Sequence, residues 1–204
     1  ADSADIIINE VLFHPRFNGK DYVELYNKSS KIINLKNMLL ANRSASGTIG
    51  SFKNISQKDY LFFPGTYIVV TEDAKVVEDQ YLVKYPEALL EIGSMPSYPN
   101  DKGNVVLLNN AGQIIDELSY NDKWHFSLID NTEGVALERI NGNKKTNDPD
   151  NWTSAAATSS YGTPTYQNSQ FGIEQQLQGT IKIIPELFSP DNDGRDDFAM
   201  IYFQ

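Results

Sequence analysis

The sequence predicts an all-β protein, an antiparallel β-sandwich or barrel carrying one short helix. Three observations predict it. Near the start, Ile6-Ile7-Ile8-Asn9-Glu10-Val11-Leu12 and Asp21-Tyr22-Val23-Glu24-Leu25-Tyr26-Asn27 interleave apolar with polar or acidic residues, which suits strands with one face buried. Further short β-prone runs are separated by Gly, Pro, Asn and Asp turn signals. A single stretch carries helical spacing.

The first two segments flank His14-Pro15 and Asn18-Gly19, a turn composition that permits antiparallel pairing. Ile32–Leu35 and Met38–Ala41 predict a third strand region, bent or bulged at Lys36-Asn37. Residues 42–58 read as an exposed loop. Leu61-Phe62-Phe63 leads into Pro64-Gly65, a tight turn, and then into the β-prone Thr66–Thr71, so a hairpin or a sharp strand entry is expected. Between Thr71 and Tyr85, the spacing of Ala74, Val77, Glu78 and Tyr81 predicts a short helix, capped by Thr71 and ended before Pro86.

Residues 93–103 read as an irregular connection. Asn104–Leu108 and Gln113–Tyr120 flank Asn109-Asn110-Ala111-Gly112, whose residues tolerate positive φ, and so predict a hairpin. Val135–Ile140 is a further strand, and Trp152 an aromatic anchor at the end of a core. The polar, Gln/Asn/Ser/Gly-rich stretch from Thr165 to Gly179 suits a linker, after which Ile181–Phe188 begins a new apolar segment.

With 204 residues, the chain has room for one ordinary domain and about fifty residues more. A 40% hydrophobic fraction with 11 Tyr, 10 Phe and 2 Trp supports a substantial core. The net charge of -10 disfavours nucleic acid and anionic lipid, which are bound through Lys and Arg. With no cysteine there is neither a disulfide nor a thiolate metal site. No apolar run approaches the roughly 18 residues that span a bilayer. Because the chain starts at Ala1 without methionine, it is expected to be a processed or excised piece of something longer.

The acids Glu10, Asp21 and Glu24 raise the question of a glycosidase-like carboxylate pair, but their strand setting favours structural hydrogen bonds to backbone or to Arg and Lys. His14 and His125 belong to no zinc-spaced pair, and neither a nucleophile elbow nor a phosphate-cradling glycine loop occurs. No catalytic residue is assigned.

These residues, in order, carry a resemblance. Ile8-Asn9-Glu10-Val11, Asp21–Asn27, Ile33-Asn34-Leu35, Pro64-Gly65-Thr66-Tyr67, Gly103–Leu107, Gly112–Asp116, Leu137-Glu138-Arg139, Asn151-Trp152 and Gly162-Thr163-Pro164 with Asn168-Ser169 are similar to the lamin tail domain. That resemblance implies an immunoglobulin-like antiparallel β-sandwich without established catalytic residues, one that in bacterial proteins sits beside nucleases, hydrolases or adhesion-type repeats. The family often places glycine after Gly-Thr-Pro, where this chain has Thr165. Further on, Phe188–Phe198 resembles the opening of the immunoglobulin-like C-terminal domains of gliding-motility-associated surface proteins. The expected organisation is a lamin-tail-type domain over 1–169, a linker over 170–180 and the truncated start of a second sandwich over 181–204.

Asp191, Asp193, Asp196 and Asp197 place four carboxylates around Gly194, a density that suits the six to eight oxygen ligands of Ca²⁺. The loops at 42–58, 93–103 and 121–133 are the expected interaction surfaces, with Tyr98, Trp124 and Phe126 as contact aromatics. The expected function is a non-catalytic extracellular or cell-surface binding or adhesion module of a larger bacterial protein, with a protein or glycan ligand. The alternative is the targeting domain of a secreted hydrolase or nuclease whose catalytic domain lies elsewhere.

Overall fold

In the computed structural model, which describes residues 1–172, 181–185, 187–192, 194–195 and 197–203, the first two segments pair as read. Strands β1 (Ile6–Leu12) and β2 (Tyr22–Asn27) run antiparallel, with Ile6 opposite Asn27 and Leu12 opposite Tyr22. The register slips between Ile8 and Glu10, leaving Asn9 as a bulge. One extra residue reverses the alternation of faces. Ile6 and Ile8 before the bulge and Val11 after it therefore all enter the main core, while Glu10 turns to the opposite face.

The chain continues through β3 (Ile33–Asn34), β4 (Leu39–Arg43), β5 (Ile49–Asn54), β6 (Leu61–Phe62), β7 (Tyr67–Thr71), helix α1 (Ala74–Gln80), β8 (Leu89–Glu91), β9 (Lys102–Leu108), β10 (Ile114–Asn121), β11 (Leu137–Arg139) and β12 (Trp152–Ser154). A six-stranded sheet, ordered β12-β11-β1-β2-β7-β8, faces a four-stranded sheet, ordered β10-β9-β4-β5; β3 and β6 form a separate pair. Ile8, Val23, Leu25 and Val70 from the first meet Leu40, Val105, Leu107 and Leu118 from the second in one buried core. Each such aliphatic side chain contributes about 1.5–3 kcal/mol on burial. The protein is thus all-β, an immunoglobulin-like sandwich with a single short helix among the described residues.

Helix α1 has a topological task. Strands β7 and β8 are parallel, with Val69 opposite Leu89, and parallel neighbours need a crossover, which α1 supplies. Val77 and Tyr81 pack with Leu12, Tyr22 and Ala136 on the outer face of the six-stranded sheet. The helix is capped by Asp73, whose carboxylate accepts from the Val76 N–H, and not by Thr71 as the sequence suggested. Thr71 remains in β7, and its hydroxyl donates to the Asp21 carbonyl.

Two other expectations are corrected and one open alternative is decided. Residues 42–58 contain β5, an edge strand paired with β4. Its two faces are largely exposed, so its residues carry little apolar alternation to mark it. For Leu61–Thr71 the sharp strand entry holds and the hairpin does not, because β6 pairs with β3 and the Pro64-Gly65 turn, with Gly65 at φ +72, leads into β7 beside β2. The segment read as linker from Thr165 is folded onto the sheet as far as Gly172, with Thr165 and Asn168 buried and hydrogen-bonded to other polar groups.

The chain divides into two compact units, Ala1–Gly172 and Ile173–Gln204. In the second, β13 (Ile181–Ile184) and β14 (Met200–Phe203) pair antiparallel, with Ile184 opposite Met200.

Candidate functional site

On the outer face of the six-stranded sheet, Glu138, Glu10 and Glu24 form a row across β11, β1 and β2, each opposite the next in register. All three are fully buried. The cover is the segment 162–170. Gly162 crosses the sheet so closely that a Cβ there would lie 2.7 Å from the Tyr81 ring and 2.9 Å from the Tyr22 hydroxyl, room that only glycine leaves. Thr163 then donates its N–H to Glu10 (3.1 Å), and Thr165 its N–H to Glu24 Oε2 (2.6 Å). Ser169 and Gln170 donate to Glu138 Oε2 at 2.9 and 2.8 Å. Asn168 donates to the carbonyls of Asn9 and Arg139 and accepts from Asn9 Nδ2, which also donates to Glu24.

The expected hydrogen bonds to backbone are therefore present, but the remaining partners are hydroxyls and amides, not Arg or Lys. Burial first, and the neighbouring Glu138 charge second, push the Glu10 carboxyl up to about 8. Burial and then the Glu10 charge raise Glu24 well above the ordinary carboxylate range. Of the acids considered from sequence, Glu10 and Glu24 come together and Asp21 does not. Asp21 is pushed up to about 7 by its own burial and by Glu72. Glu138 escaped notice as a member of the row; its alternating position in Leu137-Glu138-Arg139 was the available signal.

The same covering segment builds the wall of a groove. Thr165 sits at φ +75, a conformation rare for a β-branched residue and costing about 1–3 kcal/mol. Its Oγ1 accepts the N–H groups of Lys84 (3.2 Å) and Tyr85 (3.0 Å), tying the segment before β8 to the glutamate row. The resulting cavity, about 720 Å³, is lined by aromatic residues including Tyr60, Phe63, Tyr67, Tyr85 and Tyr166. Tyr67 stacks on Tyr26 with centroids 4.7 Å apart, and the Lys84 ammonium lies 4.1 Å from the centre of the Tyr166 ring. Phe63 and Tyr85 are 50% and 54% exposed, unbraced faces at the groove mouth.

The residues predicted as contact aromatics are scattered. Tyr98 is buried in the main core, so the packing role wins for that ring. Trp124 packs partly against the same core, and Phe126 is exposed beside a different hollow. Groove residues 60–63, 65–68, 84–85, 87–88 and 165–167 all lie outside the loops expected as interaction surfaces. In the second unit, Asp197 accepts from the N–H groups of Asn192 (2.6 Å) and Gly194 (2.9 Å), and Asp191 is exposed. Asp193 and Asp196 lie outside the described residues. Among the described residues no cluster of three or more His, Asp or Glu is arranged to hold a metal ion.

Comparison with known proteins gives one family. The model of the Lamin Tail Domain matches residues 1–122. No match was found among curated proteins. Among solved structures, a DUF4876 family protein from Bacteroides thetaiotaomicron is similar at 10% identity and a TM-score of 0.45, over 69% of this chain and 63% of that one. This chain thus spans less than two thirds of that solved chain. With that match over more than half its length, the chain belongs to the lamin tail domain family.

Proposed function

We propose that this chain is a non-catalytic binding or adhesion module, working outside the cell or at its surface as part of a larger bacterial protein. One observation carries the reading: an aromatic groove whose wall is held in a strained conformation by a buried polar network. Strain of that kind persists where surrounding structure over-determines it, and it clusters at ligand clamps. The glutamate row offers a substrate nothing, since its oxygens are buried and engaged by the covering segment. Its service is to position.

The test compares the chain with a Phe63→Ala, Tyr85→Ala double variant on glycan and protein arrays. Retention of a ligand by the parent and its loss by the variant supports the reading; an empty array, or a ligand that ignores both substitutions, defeats it. Calcium in the loop around Asp191 and Asp197 is a separate proposal resting on carboxylate density. It fails if millimolar calcium leaves the melting profile unchanged.

A further inference from the structure

The groove's chemistry narrows the ligand class, on the premise that it is a binding site at all. We infer that the groove accepts a neutral oligosaccharide, laid with its C–H faces on the tyrosine and phenylalanine rings.

A pyranose is two-sided in the way this lining is. It has patches of C–H that pack on an aromatic face, and a rim of hydroxyls that need donors and acceptors. Tyrosine supplies a broad apolar body with a polar tip. Among the described residues the hydroxyls of Tyr67, Tyr85 and Tyr166 have no protein hydrogen-bond partner, whereas Tyr60 donates to the Glu87 carbonyl at 3.4 Å. Burial raises the pKa of Tyr60, Tyr67 and Tyr166, keeping these phenols protonated and able to donate.

Charge argues for neutrality. The lining holds one cation, Lys84, and one anion, Glu87, on a chain of net charge -10. The ammonium already rests on the Tyr166 ring. A polyanion would meet no basic patch and an unfavourable overall field.

Size fits a small ligand. A concavity of about 720 Å³ falls within the roughly 300–1,000 Å³ range of small-ligand sites. Braced rings also lose little conformational freedom on binding: Tyr67 is held by Tyr26, Tyr166 by Lys84, and the Lys84-Tyr85 backbone by Thr165.

The experiment is affinity electrophoresis of the full chain through gels containing the neutral polymers xyloglucan, mixed-linkage β-glucan, galactomannan or amylopectin, with alginate and heparin gels as anionic counterparts, followed by calorimetry with a hexasaccharide of any neutral polymer that retards it. Retardation by at least one polymer is expected, with Tyr85→Ala and Phe63→Ala each weakening binding about tenfold or more. Phe17→Ala, an exposed ring elsewhere, should leave binding unchanged. Melting curves establish that the three variants stay folded. No retardation, or retardation that survives both groove substitutions, overturns the assignment, as does binding confined to alginate or heparin. A protein ligand that the groove variants lose would sink the oligosaccharide while leaving the binding role intact; no ligand of any class would sink both.

Discussion

Glu10 on β1 and Glu138 on β11, directly opposite in register, both contact the single hydroxyl of Thr163, at 2.6 and 2.7 Å. One hydroxyl proton serves only one of two carboxyl oxygens. The second contact needs a proton from a carboxyl, and Glu10, pushed up to about 8 by burial and by Glu138, is the group that holds it. Glu10 Oε1 takes the Tyr22 hydroxyl, leaving Oε2 to face Thr163. The arrangement closes as a chain: Glu10 donates to Thr163, and Thr163 to Glu138.

Stability therefore falls as pH rises. Glu10 is raised in the folded state above its ordinary 4.5, so the native protein binds more protons than the unfolded chain between those values. Asp21, raised to about 7, acts in the same direction. His125 opposes them, because burial lowers it to about 4 and its contribution is lost as pH falls from 6.5. Between pH 6.5 and 8 the raised carboxyls act without that opposition, and the melting temperature should drop across this window. Glu10→Gln, whose amide can donate to Thr163 as the protonated acid does, should fold and flatten the slope. A slope unchanged by the substitution would exclude Glu10 as the proton holder.

Asn168 should discriminate charge from shape. It donates to two carbonyls, those of Asn9 and Arg139. Asn168→Ala leaves both without a donor, at roughly 1–3 kcal/mol for each unsatisfied group. Asn168→Asp sets a carboxylate against the same carbonyls and near Glu24, and should destabilise more at pH 8 than alanine does. That excess should shrink on acidification, as chemical denaturation at two pH values would reveal.

Thr165 can be divided into its two effects. Thr165→Gly removes both the strain and the hydroxyl acceptor, and these offset to within about 1 kcal/mol. Thr165→Ala keeps the strain and loses the acceptor, so it should be the less stable of the two. In both, the amides of Lys84 and Tyr85 should exchange faster with deuterium, since Oγ1 is their acceptor. Protection unchanged in both variants would remove Thr165 from the groove's support.

The stretch matched by the family model should not fold alone. Residues 1–122 lack β11, β12 and the cover, so β1 would become an edge with Ile6 and Val11 open beside the missing Leu137 and Trp152. A fragment of residues 1–172 retains all three and should melt cooperatively. Circular dichroism of the two fragments checks this, and a cooperative transition in the shorter one would refute it.

Where local pattern sufficed, reading and structure agree. Alternation marked β1 and β2, and the turn at Asn109–Gly112 joined β9 to β10, with Asn109 and Gln113 bonded across it and Gly112 at φ +78. Helical spacing marked α1. Local pattern failed at β5, whose exposed edge position leaves no buried face to write an alternation. It failed again at 165–170, where polar composition imitates a linker while the N–H groups of Thr165 and Gln170 and the Ser169 hydroxyl bind buried acids.

By itself the sequence determined most of the sheet-forming segments, the single short helix and the net charge of -10, because periodicity is a property of neighbouring residues and charge one of composition. Only tertiary structure decided that Glu10 meets Glu138 and Thr163, and that residues near 63, 85 and 166 share one groove. Those meetings depend on strand order and on a one-residue bulge at Asn9 that reverses which face Glu10 takes. Register between distant segments is set by the packing of whole sheets, and no local window of the chain encodes it.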